Sequence, residues 1–143
     1  MSRHPWVDTP SWDLLLAHRP PDVRDDVRRR FVESGVSPER VKCVLDDGGD
    51  ALYGAAASGA PNWADPFGGP LSAALLAAEV SSLAAHLNSR SSAVRALAVN
   101  ALLEDLSAVT VAARLGVSRQ KVYEVSRAAL PGSFVARVPW RQK

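Results

Sequence analysis

Four side chains able to recognise hydrogen-bonding patterns fall together near the C-terminal end of this 143-residue chain. A helix starting at Arg119, advancing about 100° per residue, puts Val122, Val125 and Ala129 on one edge. Gln120, Glu124 and Arg127 then point almost directly away from that edge, with Tyr123 beside them. These residue types suit the edges of base pairs. Gln pairs bidentately with adenine, Arg does so with guanine, and Glu accepts from the cytosine amino group. Arg119 and Lys121 lie on the flanks, where phosphates would pass. Arg114 and Ser118 just upstream, with Arg137, Arg141 and Lys143 downstream, complete the candidate phosphate contacts. Glu124 and Arg127 also stand at i, i+3, a spacing that can simply stabilise a helix.

The elements that must position these side chains are legible around them. In the stretch 108–129, AVTVAARLGVSRQKVYEVSRAA, Val111, Ala112 and Leu115 define one face of a short helix capped by Ser107. Gly116 is suited to the left-handed conformation that ends it. Val117 is expected to plug the turn, and Ser118 to cap the next helix, whose buried edge is Val122 and Val125. Ala112 is small where the two helices would cross. An earlier helix, capped by Ser91 or Ser92, is expected from about Ala93 to Leu106, with Val94, Leu97, Ala98, Ala101 and Leu102 inward. The last helix is expected to reach about Leu130, where Pro131-Gly132 ends it. Beyond it, Ser133–Val138 has strand character. That tail reads as a wing-like strand or minor-groove arm, or as a segment packing back through Phe134, Val138 and Trp140.

Ala112, Leu115-Gly116-Val117-Ser118, Val122 and Tyr123 resemble the helix-turn-helix of bacterial DNA-binding proteins. The run Leu-Gly-Val-Ser-Arg-x-x-Val-Tyr is especially similar to the DNA-binding domains of resolvases, invertases and many small repressors. The resemblance covers residues 92–130 and implies a three-helix domain whose last helix lies in the major groove of double-stranded DNA. Resolvases also carry a larger catalytic domain with a nucleophilic serine. Residues 1–90 show no counterpart to it, so the resemblance implies DNA binding and not strand cleavage.

Charge is distributed accordingly. Residues 1–89 hold 8 Lys/Arg against 12 Asp/Glu, a net −4, and residues 90–143 hold 9 against 3, a net +6. A basic segment bearing the motif is the footprint expected of phosphate binding. Enzyme chemistry has little support. His4, His18 and His86 are scattered without metal-ligand spacing. Asp46, Asp47 and Asp50 lack the rest of a calcium loop and read as a solvated turn. Gly48-Gly49 is followed by no Gly-Lys-Ser/Thr of a phosphate loop. The single cysteine, Cys43, excludes an internal disulfide and is expected in the core. Trp63 and Phe67, in a Pro/Gly-rich loop, either pin that loop or line a ligand pocket. We expect no enzyme activity, no metal and no cofactor. With no signal peptide at the start and no run approaching the ~20 apolar residues of a bilayer span, a cytoplasmic protein without membrane contact is expected.

The preceding region reads as helical throughout. Trp12, Leu15 and Leu16 form the apolar side of a short helix ending near His18. Val23, Val27 and Phe31 share a face of a second helix, capped by Asp22. Ser37-Pro38 opens a third with Val41, Val44 and Leu45 inward, and Ala51–Ser58 reads as one more helical segment. Leu71–Leu87 is an alanine-rich helix broken by Asn88 and Ser89. Its stripe Leu76, Val80, Leu83 and Leu87 is either core or a homodimer interface. The expected protein is all-α. A helical region at 1–89, for dimerisation or partner binding, precedes a helix-turn-helix domain at 90–143 with a basic tail. Its expected function is sequence-specific DNA binding as a transcriptional regulator and homodimer. The alternatives are an interaction module of antitoxin or adaptor type, or an accessory DNA-binding protein of recombination. The sequence names no small-molecule effector.

Overall fold

The computed structural model describes residues 11–128, and over these the chain is all-α. In order come α1 (Trp12–Leu15), α2 (Pro21–Glu33), α3 (Pro38–Asp46), α4 (Asp50–Ala57), a 3-10 turn at Asp65–Phe67, α5 (Pro70–Leu103), α6 (Ala108–Leu115) and α7 (Arg119–Ser126). Two compact units divide the chain, with described parts at residues 11–84 and 85–128, so the boundary falls inside α5. Residues 1–10 and 129–143, the latter with Arg137, Arg141 and Lys143 and the expected strand or packing segment at 133–140, lie outside the described residues.

In the first unit, prolines stand at the first position of three helices, α2, α3 and α5. Pro21 takes the first position of α2, where its missing N–H would have no partner anyway. Asp22, expected as the cap, therefore sits in the first turn. Ser37 caps α3 by accepting from the Arg40 amide at 3.1 Å. Of the inward positions read from periodicity, Leu15 and Leu16, Val27 and Phe31, Val41, Val44 and Leu45 are buried, whereas Trp12 and Val23 are half-buried. The Trp12 ring stacks on Phe31 at a centroid distance of 5.9 Å. Arg24 closes the end of α1, donating to the carbonyls of Leu16, Ala17 and Arg19 at 3.0–3.2 Å. Cys43 departs from expectation and is exposed. It lies about 200° around α3 from the fully buried Val41, so the periodicity that buries Val41, Val44 and Leu45 turns Cys43 outward.

One buried ionic cluster joins the end of α1 to α5. Glu79 is 1% exposed, and its carboxylate accepts from Arg19 Nε at 3.0 Å and Nη2 at 3.1 Å. His18 Nε2 lies 2.5 Å from Glu79 Oε2. Burial by itself pushes the Glu79 carboxyl up, but the hydrogen bonds and positive charge of His18 and Arg19 outweigh it and hold the group below its ordinary 4.5.

Helix α5 overturns the expected break. Asn88, Ser89, Ser91 and Ser92 lie within a continuous 34-residue helix and cap nothing at their positions. Serine and asparagine are only weakly unfavourable in helix interiors, and no Gly or Pro interrupts residues 71–103. By length and composition alone this helix is apolar enough to cross a membrane. Serines and Glu79 interrupt its many alanines and leucines, so no unbroken apolar run marks it in the sequence. A core helix of a soluble protein passes the same test, so this is weak evidence of a span.

The inward face of the second half of α5 also differs from expectation. Ala93, Ala96 and Val99 are buried, whereas Val94 is 61% and Leu97 53% exposed; Ala98, Ala101 and Leu102 are exposed as well. Apolar residues surround this part of the helix on nearly every side, so periodicity offered two faces. The smaller residues took the packed one, where close approach favours alanine.

Candidate nucleic-acid interface

Helices α6 and α7 are eight residues each, and both begin on a serine cap. Ser107 Oγ accepts from the Thr110 amide at 3.2 Å and Ser118 Oγ from the Lys121 amide at 3.0 Å. Between them Gly116 is left-handed at φ +70°. The amide of Val117 donates to the Ala112 carbonyl at 3.0 Å, which satisfies an end-of-helix acceptor. Val111, Ala112, Val122 and Val125 form a small core with Val99 of α5, and Leu103, Leu106 and Ala108 pack against it. Asn100 Nδ2 of α5 donates to the Ser126 carbonyl at 3.0 Å, tying the end of α7 to the same helix.

Two expectations for this hairpin are corrected. Leu115 is 46% and Val117 39% exposed, so Leu115 does not complete the buried face and Val117 does not plug the turn. Periodicity fixes the direction in which Leu115 points, but it does not fix what stands there to cover it. Helix α7 also ends at Ser126, four residues short of the expected Leu130, with Arg127 as its cap.

With Val122 and Val125 buried, the other side of α7 faces outward. Gln120, Tyr123, Glu124 and Arg127 are all exposed. Arg114, Ser118, Arg119 and Lys121 are exposed around them. The Ser118 oxygen is engaged as a cap, which leaves its hydroxyl proton free to donate. Glu124 pairs with Lys121 at 3.8 Å, not with Arg127. An exposed i, i+3 pair of this kind is worth roughly 0.2–0.5 kcal/mol, so either partner is readily exchanged for a ligand. Among the described residues Arg114, Arg119 and Arg127 make no ion pair. Residues 108–128 carry 4 Lys/Arg against 1 Asp/Glu, a net +3. The hairpin therefore presents a short rigid helix edge of hydrogen-bonding side chains framed by unneutralised cations.

Of the expected interface stripe, Leu76 and Leu83 are already buried in the single chain, and Val80 and Leu87 are half-buried. The acidic turn is also accounted for. Asp47 accepts from the amides of Gly49, Asp50 and Ala51 at 2.8–3.2 Å, so its carboxylate caps α4. No group of three or more metal-ligating side chains occurs among the described residues. Phe67 lies under the Arg40 guanidinium, 5.7 Å from ring centroid to cation. Trp63 lines an open, almost wholly apolar groove of about 520 Å³, together with Gly49, Tyr53, Ala73 and Ala77. Sequence reasoning missed the Glu79 cluster and the exposed face of α5. A lone charge inside an apolar run was the signal for the first. Comparison with protein-family models, curated proteins and solved structures finds no match to the chain.

Proposed function

We propose that this chain binds double-stranded DNA in a sequence-specific manner, with α6 and α7 as a helix-turn-helix and α7 as the major-groove reader, and that it acts as a transcriptional regulator. The observation that carries this reading is the division of α7: Val122 and Val125 inward, Gln120, Tyr123, Glu124 and Arg127 outward. Both helix starts are capped and the intervening glycine is left-handed, so the reading edge rests on a small rigid scaffold. Base contacts are assigned to those four side chains and phosphate contacts to Arg114, Ser118, Arg119 and Lys121. A recombination accessory protein would use the same interface.

Exposed Val109, Leu115 and Val117 on and beside α6 favour a second reading, an interaction module of the adaptor type. Selection of bound duplexes from a random pool separates the two. DNA binding predicts an enriched site and affinity that falls with salt. On that site Gln120→Ala and Arg127→Ala should each lose about 1–3 kcal/mol. Arg119→Ala should weaken all duplexes alike and flatten the salt slope by roughly one unit. Equal affinity for every duplex would refute specificity, and no binding at low salt would refute the DNA reading.

A further inference from the structure

Along its second half, the outward side of α5 has an apolar seam with no partner among the described residues. Leu87, Val94 and Ala101 recur every seven residues, and Leu97 and Ala98 fall between the last two. This is the spacing by which one helix packs along another. Val94 and Leu97 are more than half exposed. The part of the seam from Val94 to Ala101 is flanked by charge of opposite sign, with Arg90 before it and Asp105 after it. Asp105 lies in the turn that closes α5 after Leu103, where the Asp105 and Leu106 amides both donate to the Leu102 carbonyl, at 3.1 and 2.8 Å. Among the described residues neither Arg90 nor Asp105 makes an ion pair.

We infer that this face pairs with the same face of a second copy of the chain, antiparallel, about a two-fold axis passing between Leu97 and Ala98. Residues equally distant from that axis then meet. Leu97 faces Ala98 of the other copy, Val94 faces Ala101, and Arg90 faces Asp105. Each apolar pair sets a large side chain against a small one, which lets the helices approach to the usual 8–10 Å. Both ends of this part carry an opposite-charge pair. A parallel arrangement would put Arg90 against Arg90 and Asp105 against Asp105, so the charges select the antiparallel, self-complementary mode. This seam differs from the stripe at Leu76 and Leu83, which is buried in the single chain. The inference stands apart from the DNA reading, because the pairing side chains are on α5 and the reading side chains on α7.

The test is sedimentation equilibrium of the full chain without DNA, under reducing conditions at micromolar concentration. The expected result is a dimer. Leu97→Glu should give a monomer that keeps the parent's helix content by circular dichroism, because Leu97 is 53% exposed and glutamate is a good helix former, and its melting temperature should no longer depend on protein concentration. Arg90→Glu and Asp105→Arg should each weaken association roughly 10- to 100-fold, and the two together in one chain should restore it. A monomeric parent, a Leu97→Glu variant that still dimerises, or a double charge swap no better than either single would each overturn the pairing.

Discussion

Replacing Glu79 by glutamine keeps the side chain's volume and removes its charge, which makes it a sharp probe of how the first unit is held together. The carboxylate is 2% exposed and accepts two hydrogen bonds from Arg19 and one contact from His18. In Glu79→Gln an amide N–H₂ replaces one acceptor and confronts those donors. Removing one member of a buried ion pair typically costs 3–5 kcal/mol. Arg19 retains 27% side-chain exposure, so water relieves part of its lost pairing and the lower end, about 3 kcal/mol, is expected. At roughly 4–8 °C per kcal/mol for a domain of this size, that lowers the melting temperature by about 12–24 °C. The pH dependence supplies the discriminating arm. The carboxyl titrates below 4.5 in the folded chain, so its contribution is complete above 4.5 and is lost as pH falls through the depressed folded value. Urea denaturation of parent and variant across acid to neutral pH should therefore show a full gap at neutrality that closes in acid. A gap under about 0.5 kcal/mol at neutral pH, the size of an exposed pair, would refute the assignment of the cluster as the tie between α1 and α5.

Two substitutions test the hairpin. Ala112→Leu forces a larger side chain into the Val111–Val122–Val125 core and should cost about 1–3 kcal/mol by denaturant titration, where an unchanged midpoint would contradict the packing. Gly116→Val should cost at least ~1–2 kcal/mol through its left-handed φ. Space is not the constraint there, since a Cβ would meet nothing within 4 Å. Gly116→Asn should accordingly be milder, and equal losses for the two variants would show that backbone conformation is not the cause.

The sequence was most informative where residue types carry steric instructions. Ser107, Gly116 and Ser118 each admit few local geometries, and all three adopt the expected one. The inward faces of α2 and α3 were legible because polar residues fill their other sides. Legibility failed along α5 for the opposite reason. Between Ala93 and Leu103 there is too little polarity to mark an outside, so the face at Val94 and Leu97 was expected inward and is exposed. The expected helix break does not occur, because Asn88 and the serines lower helix propensity without forbidding the helix, and their neighbours carry it through. The partners of Glu79 lie 60 and 61 residues away in sequence. Only tertiary structure brings them together, and a charge inside an apolar run announces the need for a partner without naming it.

Cys43, turned outward on α3, makes the chain a convenient object for single-site chemistry. It is the one thiol in the sequence and it is exposed, so a maleimide dye or spin label attaches at one defined position without mutagenesis. It lies in the first unit, away from both α7 and the α5 seam in sequence, so a reporter there follows binding and association without replacing any side chain assigned to either. The same geometry sets a condition on handling. Oxidation can join chains only through Cys43 to Cys43, producing a covalent pair that owes nothing to helix packing and disappears with reductant.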